Sequence, residues 1–325
     1  MHIADDYIPV SLDTICVGTT VGCNLYLQNC FADAECKYIL YCNGRSIISP
    51  HKIEELLNNR IQRLFIRKED EKAYLQYLES RLKHIISDNK MHIKEKVRVV
   101  YNVAKNIMMD VFEDPRSGEQ VERSKCWVSN TVEFILTNKA SLPNMMNMIS
   151  YDYYTYTHSV NVAVLGLLFS KYLDIKYEEM HALGTGLLLH DIGKTQIEAE
   201  IINKKERLND EEFARIRMHV ELGVDILRQI GGIDSMSFFP VMQHHEKGNG
   251  KGYPKGLKGE EIHEYGKIAS IIDVYDALTT RRSYADARKP FSALKIMKEE
   301  MDGSFDGKLF REFILFLGSR GEKKS

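Results

Sequence analysis

The sequence predicts an α+β protein in which a small mixed α/β module precedes an all-α domain. Its 325 residues allow two domains of ordinary size, and 44% hydrophobic with 28% charged residues is typical of a globular chain. Strand-like and helix-like patterns alternate near the N-terminus, whereas apolar residues recur at three- and four-residue spacings from about residue 69. We therefore expect a regulatory or sensory-type module over 1–68, a helical connector over 69–135 and a helical domain over 136–325.

Two strands and one helix are predicted in the N-terminal module. The apolar run at 38–42 is typical of a strand, and the Asn-Gly pair at 43–44 predicts a turn after it. The Ser-Pro pair at 49–50 predicts a helix start, because serine suits the N-cap and proline the first turn. The run at 63–67 predicts a closing strand.

The connector contains two predicted helices. Apolar residues between 74 and 86 predict one amphipathic helix, and a second is expected over 93–111. The stretch 113–119, with its proline and glycine, should end that helix. Such a connector can transmit a rotation or hold two copies together, so a homodimer through it and signalling partner proteins remain open.

Composition excludes several classes of protein. A net charge of -2 argues against the basic surface that polymeric nucleic acid requires. No apolar run reaches the roughly 18 residues of a membrane span, and the N-terminus is acidic where a signal peptide would be basic. We therefore expect a cytoplasmic protein with no membrane partner.

The six cysteines form no C-x-x-C pair, which disfavours a zinc ribbon. The favoured interpretation is that they are buried small hydrophobic residues in a reducing compartment. Redox sensing and metal binding are the alternatives. The positions are Cys16, Cys23, Cys30, Cys36, Cys42 and Cys126.

Five of the 11 histidines lie in the helical half, mostly beside apolar segments, together with two carboxylates in similar surroundings. One such histidine is usually a satisfied core residue. Burying seven polar side chains costs several kcal/mol unless partners satisfy them, and a metal ion is the natural partner. The candidate ligands are His158, His190, Asp191, His219, His244, His245 and Asp273.

The most specific motif is the His190-Asp191 pair, which follows an apolar helix. Imidazole and carboxylate both suit divalent ions, and the two oxygens of Asp191 could bridge two of them. Gly193 permits close approach of backbone, and Lys194 lies on the same side as Asp191, where its point charge could meet a substrate phosphate. The alternative is a buried ion pair at a helix start.

His244 and His245 form the second motif. Adjacent helical residues point about 100° apart, so both can serve one ion only near a helix end, or from different sides of one centre. The glycine-rich loop at 247–257 supplies such an end. The apolar residues before Asp273 favour a buried ligand, and Asp276, one helical turn later, would either support the site or cap the helix.

These motifs resemble the HD metal-dependent phosphohydrolases and, within them, the HD-GYP cyclic di-GMP phosphodiesterases. The His-Asp-x-Gly-Lys run at 190–194 resembles the superfamily motif, and the stretch at 244–254 resembles the motif of the subfamily. Segments 157–163 and 273–284 match its first histidine and its last carboxylate block. The resemblance covers roughly residues 140–310 and identifies 136–325 as an HD-GYP catalytic domain of all-α fold.

The resemblance implies two divalent metal ions, iron or manganese. One would be held by His158, His190, Asp191 and Asp273, and the other by Asp191, His219, His244 and His245. It also implies hydrolysis of a cyclic dinucleotide, cyclic di-GMP to linear pGpG, by a hydroxide that bridges the ions, with a further cut to GMP left open. Asp191 and Lys194 would be catalytic, and substrate would contact Lys194, Arg282, Gly252 and Tyr253.

The chain departs from the family pattern at four positions. Tyr154 replaces the glutamate of members with a third metal, so two metals are expected. Asn249 and Ser283 replace an aspartate and a proline. Ala285 stands where a second cation often binds phosphate, a role that Arg281 or Arg288 would have to take over.

Two alternative functions remain open. The domain could bind a cyclic dinucleotide or a partner protein as a receptor without turnover, which the missing cation at Ala285 motivates. It could also hydrolyse the mixed cyclic GMP-AMP, since the loop containing Gly252 and Tyr253 favours a cyclic dinucleotide without choosing between purines. Against the receptor, every expected metal ligand is present.

Overall fold

The computed structural model describes residues 6–30, 36–149, 155–280 and 287–319. It divides the chain into two compact units, residues 1–106 and 107–325. The first carries a small β-sheet with helices and the second is helical, so the expected α+β class is confirmed. The division at 106 falls inside the predicted connector, and the three-part division stays a prediction.

The first unit contains a four-stranded antiparallel sheet in the order β1-β4-β2-β3. Both predicted strands are present, as β3 and β4. In β4 the side chains of Leu64 and Ile66 are buried while Arg63 and Arg67 are exposed, the alternation of a sheet with one face on the core. β1 and β2 were not predicted, because polar residues and a proline interrupt their short patterns. The strands are β1 Tyr7–Ser11, β2 Leu25–Asn29, β3 Lys37–Cys42 and β4 Arg63–Arg67.

Two helices of this unit begin where the sequence predicts, at Pro50 and Ile93. The Ser49 hydroxyl caps α1 by accepting a hydrogen bond from the Lys52 amide, at 3.3 Å. The prediction of a single helix over 74–86 is wrong, because the chain forms two helices with a break at Arg81. The Arg81 amide donates its hydrogen bond to the carbonyl of Leu78, three residues earlier, whereas an α-helix would require the carbonyl four residues earlier. The helices are α1 Pro50–Asn58, α2 Glu71–Ser80, α3 Leu82–Ser87 and α4 Ile93–Glu113, the last of which continues past the division at 106.

The cysteines only partly match their favoured interpretation. Cys30 and Cys36 form a disulfide, because antiparallel pairing of β2 with β3 brings their Cα atoms to 4.2 Å. Cys126 is an exposed free thiol and Cys16 is half-buried, so burial holds only for Cys23 and Cys42. Burial raises the pKa of the Cys23 thiol to about 12, which leaves it protonated and inert.

The second unit packs its most apolar helices at the centre. Along α7 nearly every side chain from Thr157 to Ser170 is buried, and α8 and α13 are also apolar on most faces, which is the pattern of a central helix. Among the residues that the structure describes, no helix is both long and apolar enough to cross a membrane. The helices are α5 Gly118–Thr137, α6 Ser141–Met146, α7 Thr155–Tyr172, α8 Tyr177–Leu189, α9 Ala199–Ile202, α10 Asp210–Arg217, α11 His219–Ile230, α12 Phe238–Gln243, α13 Glu264–Thr279, α14 Pro290–Glu299 and α15 Gly307–Gly318.

Candidate metal centre

The His190-Asp191 pair lies at the C-terminal end of α8. Helical geometry continues through His190 and ends at Asp191, after which a 3₁₀ turn begins. Both residues are 1% exposed. The Nδ1–H of His190 donates to the Leu187 carbonyl at 2.7 Å, so its other ring nitrogen, Nε2, keeps a free lone pair.

His219 and His244 are oriented in the same way. Their Nδ1–H groups donate to the carbonyls of Ile216 at 2.6 Å and Pro240 at 2.9 Å, which turns each Nε2 lone pair inward. The two Nε2 atoms face each other at 3.2 Å. Two lone pairs at that distance repel unless a cation lies between them. Burial lowers the pKa of His219 to about 4 and that of His244 well below its usual range, so both are neutral ligands at pH 7.

Asp191 lies between two pairs of histidines, and each of its oxygens faces one pair. Oδ2 is 3.7 Å from Nε2 of His158 and 3.4 Å from Nε2 of His190. Oδ1 is 3.4 Å from Nε2 of His219 and 3.8 Å from Nε2 of His244. This is the geometry of a carboxylate that could bridge two ions.

Two buried polar atoms of this pair have no hydrogen-bond partner among the described residues, Nε2 of His190 and Oδ1 of Asp191. An unsatisfied buried group costs about 1–3 kcal/mol, so both atoms favour an added ligand. Burial would raise the pKa of Asp191, but the ammonium of Lys194, 2.5 Å from Oδ2, and the His190 ring hold it well below its usual range. The carboxylate is therefore ionised.

His158, on α7, lies between two aspartates of α13. Its Nε2 is 3.0 Å from Oδ1 of Asp273, and its Nδ1–H donates to Oδ2 of Asp276 at 2.7 Å. The other oxygen of Asp276 accepts from the side chains of Asn161 at 3.0 Å and Thr280 at 3.2 Å. Asp276 thus supports the site by orienting His158.

The supporting roles of Asn161 and Thr280 were missed from the sequence. Their only signal is spacing, since Asn161 follows His158 by three residues and Thr280 follows Asp276 by four, each on one helix face. Burial would raise the pKa of Asp273, but the neighbouring His158 and His245 hold it well below its usual range.

The adjacent histidines reach one centre because α12 ends at Gln243, just before them. One nitrogen from each of His219, His244 and His245 lies within 4.8 Å of the other two. Nδ1 of His245 is also 3.8 Å from Oδ2 of Asp273, and the side chain is 24% exposed. Burial lowers the pKa of His245 to about 3, so it too is neutral at pH 7.

The loop after His245 is fixed by Glu246, which is 1% exposed. Its carboxylate accepts the amides of Lys255 at 2.7 Å and Leu257 at 2.9 Å. Gly252 packs against the loop itself, because a Cβ there would lie 2.4 Å from the Lys247 nitrogen. Its predicted contact with substrate stays a prediction.

Tyr253 packs on the ring of His245. Its ring centroid is 4.6 Å from that of His245, and the Arg217 guanidinium lies 4.8 Å from the ring. Its amide also donates to the His245 carbonyl, at 3.1 Å. Tyr253 therefore holds His245 in place as well as facing the cavity beside it.

A cavity of about 830 Å³ opens onto the centre, within the size range of small-molecule sites. Asp273, His244, His245 and Lys194 line it together with Lys247, with other polar residues and with apolar side chains including Phe213. Arg288 is exposed and is not among the described lining residues. Arg282 lies outside the described residues, as do Arg281 and the departures at Tyr154, Ser283 and Ala285.

The arrangement fits metal ions. The potential ligand atoms form clusters within 4.8 Å, and imidazole with carboxylate suits iron, manganese, cobalt or zinc. Each imidazole whose Nδ1–H donates a hydrogen bond to a carbonyl or carboxylate presents its Nε2 to the other candidate ligands, as metal-binding histidines do. The clusters are His158 with His190 and Asp273, His219 with His244 and His245, and His190 with Asp191 and His244.

Relatives of this chain carry names of cyclic dinucleotide enzymes. "Cyclic di-GMP phosphodiesterase PA4108" of Pseudomonas aeruginosa is 30% identical over 237 residues, 71% of this chain and 57% of the relative. "3'3'-cGAMP-specific phosphodiesterase 3" of Vibrio cholerae is 33% identical over 157 residues, 48% of this chain and 34% of the relative. The chain thus spans about a third to just over half of these relatives' length.

The fold resembles that of a solved structure, and a family model matches the sequence. Bd1817, a HDG"Y"P protein from Bdellovibrio bacteriovorus, aligns with a TM-score of 0.67 at 22% identity, over 96% of this chain and 100% of its own, a likeness of fold alone. The family model described as "HD domain" matches residues 137–309, just over half of the chain and all seven candidate ligands. The resemblance to the HD phosphohydrolases is therefore confirmed, and the chain belongs to the HD domain family.

Proposed function

We propose that this protein is a metal-dependent phosphodiesterase that hydrolyses a cyclic dinucleotide, with cyclic di-GMP to linear pGpG as the expected reaction. The observation that carries the proposal is Asp191, whose two oxygens face two separate histidine pairs. A carboxylate placed in this way suits a centre of two ions. The names of the relatives support the substrate class.

The proposed centre holds two divalent ions, iron or manganese. One would lie among His158, His190, Asp191 and Asp273, and the other among Asp191, His219, His244 and His245. Such ions polarise phosphoryl oxygens and provide a nucleophilic water near neutral pH.

The chain's own groups prepare the site for phosphate. Lys194 lines the cavity and places its ammonium group beside Asp191, where it can stabilise charge that grows on a phosphoryl oxygen. The neutral histidines bring no positive charge that would repel the ions. Asp276 fixes the ring of His158, and the apolar side chains of the cavity wall would limit the water around a bound substrate.

The decisive experiment is turnover of cyclic di-GMP by purified, metal-loaded protein, followed by chromatography of the products. Asp191→Ala should abolish turnover and lower the metal content. Asp225→Ala, a change of the same type at an exposed position of α11, should leave both unchanged. Full turnover by Asp191→Ala, or by metal-depleted wild type, would contradict the proposal.

The mixed cyclic GMP-AMP is the second candidate substrate, because relatives from Vibrio cholerae are named as specific for it. Both dinucleotides should be assayed side by side with one metal. Binding of either without turnover would instead support the receptor. Linear pGpG as the final product is expected from two metals, and GMP would point to a second cut.

The N-terminal module and the connector have proposed roles in regulation and assembly. Residues 1–68 would regulate the helical domain through the connector at 69–135, which could also support a homodimer and signalling partners. Sedimentation of the full chain, and turnover compared with a variant that lacks 1–68, test these two points. A cytoplasmic location stays a prediction.

A further inference from the structure

We propose that Lys247 binds the second phosphate of the cyclic dinucleotide and thereby selects substrates with two phosphodiester groups. The inference rests on the proposed function and deepens it. A cyclic dinucleotide carries two negative charges on opposite sides of its ring, and the metal centre accounts for only one of them. The other needs a cation elsewhere in the cavity.

Among the described residues that line the cavity, Lys194 and Lys247 are the only lysines, and no arginine is present. The charge of Lys194 is largely compensated by Asp191, whose Oδ2 lies 2.5 Å from its Nζ. Lys247 forms no ion pair with any described carboxylate. It therefore offers the uncompensated positive charge of the described cavity wall.

The adjacent Glu246 forms no ion pair with Lys247 among the described contacts. Its two oxygens accept the backbone amides of Lys255 and Leu257. Lys247 is also half-buried. An ammonium group removed from part of its water without a partner is costly, and an anion entering the cavity would reduce that cost.

The backbone around Lys247 is held in place, so its side chain starts from a fixed point at the cavity wall. The next amide, of Gly248, donates to the Ser304 carbonyl at 2.8 Å, and the Lys247 carbonyl accepts from Gly250 at 2.8 Å. Gly252 packs against the Lys247 nitrogen, where no side chain fits. A backbone fixed in this way has little entropy of its own left to lose when the side chain binds phosphate.

The test compares Lys247→Gln with Lys251→Gln, a matched control. Lys251 lies in the same loop but is exposed and is not among the described lining residues. Each variant is assayed on cyclic di-GMP, which has two phosphodiesters, and on bis(p-nitrophenyl) phosphate, which has one. Lys247→Gln should raise KM for cyclic di-GMP roughly tenfold and leave KM for the aryl ester unchanged. Lys247→Arg should restore binding, and Lys251→Gln should match wild type on both substrates.

Several results would overturn the inference. A wild-type KM for cyclic di-GMP in Lys247→Gln, or an equal rise for both substrates, would mean that Lys247 does not recognise the second phosphate. If wild type binds cyclic di-GMP without turnover, the proposed function is wrong, but the role of Lys247 can still be tested by binding. A higher dissociation constant in Lys247→Gln than in wild type would then support that role, and an equal one would refute it. If wild type does not bind the dinucleotide at all, both proposals are wrong.

Discussion

Oδ2 of Asp276 lies 2.7 Å from Nδ1 of His158, and this contact fixes which ring nitrogen faces the metal centre. Because the carboxylate accepts the Nδ1–H, Nε2 is the ring nitrogen that points towards Asp273 and would be the one to bind an ion. Asn161 and Thr280 hold the other oxygen of Asp276. Asp276, which is not itself a proposed ligand, thus determines whether His158 turns the correct nitrogen towards the proposed ion.

The first prediction concerns that contact. Asp276→Asn keeps the size of the side chain but removes the charge and can present an N–H to the ring, which favours the wrong tautomer of His158. We expect metal affinity and turnover to fall roughly 10–100-fold. Metal titration together with turnover at saturating metal measures both. Asp225→Asn, an exposed change of the same type, should alter neither, and wild-type metal affinity in Asp276→Asn would reject the positioning role.

The sequence predicts the candidate metal ligands, but it does not predict the residues that orient them. The seven candidate ligands could be found because histidines and aspartates beside apolar segments are rare and costly. Asn161 and Thr280 could not be found, since buried amides and hydroxyls have many ordinary uses in helices. Their role depends on how closely α7 approaches α13, which is a property of the packed structure.

The N-terminal module shows a similar limit. β3 and β4 were predicted because their apolar runs are bounded by turn and cap residues. β1 and β2 are stabilised by pairing across the sheet, and local sequence carries little of that information. The same pairing of β2 with β3 brings Cys30 to Cys36, which is why the disulfide was not predicted from the cysteine spacing.

The second prediction concerns pH and the metal-free protein. Burial lowers the pKa of His219 to about 4, whereas in the unfolded chain it titrates near 6.5. Between these values the unfolded state binds more protons, so the free energy of unfolding falls as pH falls below about 6.5. Between pH 7 and pH 5 we expect His219 alone to lower the free energy of unfolding by roughly 2 kcal/mol. Urea unfolding in the presence of a chelator at the two pH values measures it.

Two variants separate this effect from general acid sensitivity. His219→Gln should lose less stability between pH 7 and pH 5 than wild type, because its side chain has no proton to gain. His51→Gln, at an exposed position of α1, should behave as wild type. The low pKa of Asp191 stabilises the folded protein, and this stabilisation is lost as pH falls below about 3.8, outside this window. A pH slope in His219→Gln equal to that of wild type would contradict the assignment.

The third prediction concerns metal removal. An ion that binds only the folded state at 100 times its dissociation constant stabilises it by about 2.7 kcal/mol. For a unit of this size, removal with a chelator should lower Tm by roughly 5–10 °C. Calorimetry with and without chelator measures the shift. Asp191→Ala should show little or no shift, and an equal shift in that variant would place the bound metal elsewhere.

The fourth prediction concerns Gly193, two residues after Asp191. A Cβ at this position would lie 1.9 Å from the His219 carbonyl oxygen and 2.5 Å from the Gly223 nitrogen, and backbone atoms cannot move aside as a flexible side chain can. Gly193→Ala must therefore push α11 away and shift His219 relative to Asp191. We expect it to cost about 1–3 kcal/mol of unfolding free energy and to weaken metal binding. Gly307→Ala, where a Cβ meets nothing within 4 Å, should change stability by about 0.5 kcal/mol or less and leave metal binding intact. If Gly193→Ala retained wild-type stability and metal affinity, the close approach of these two segments would not be what sets the spacing of the ligands.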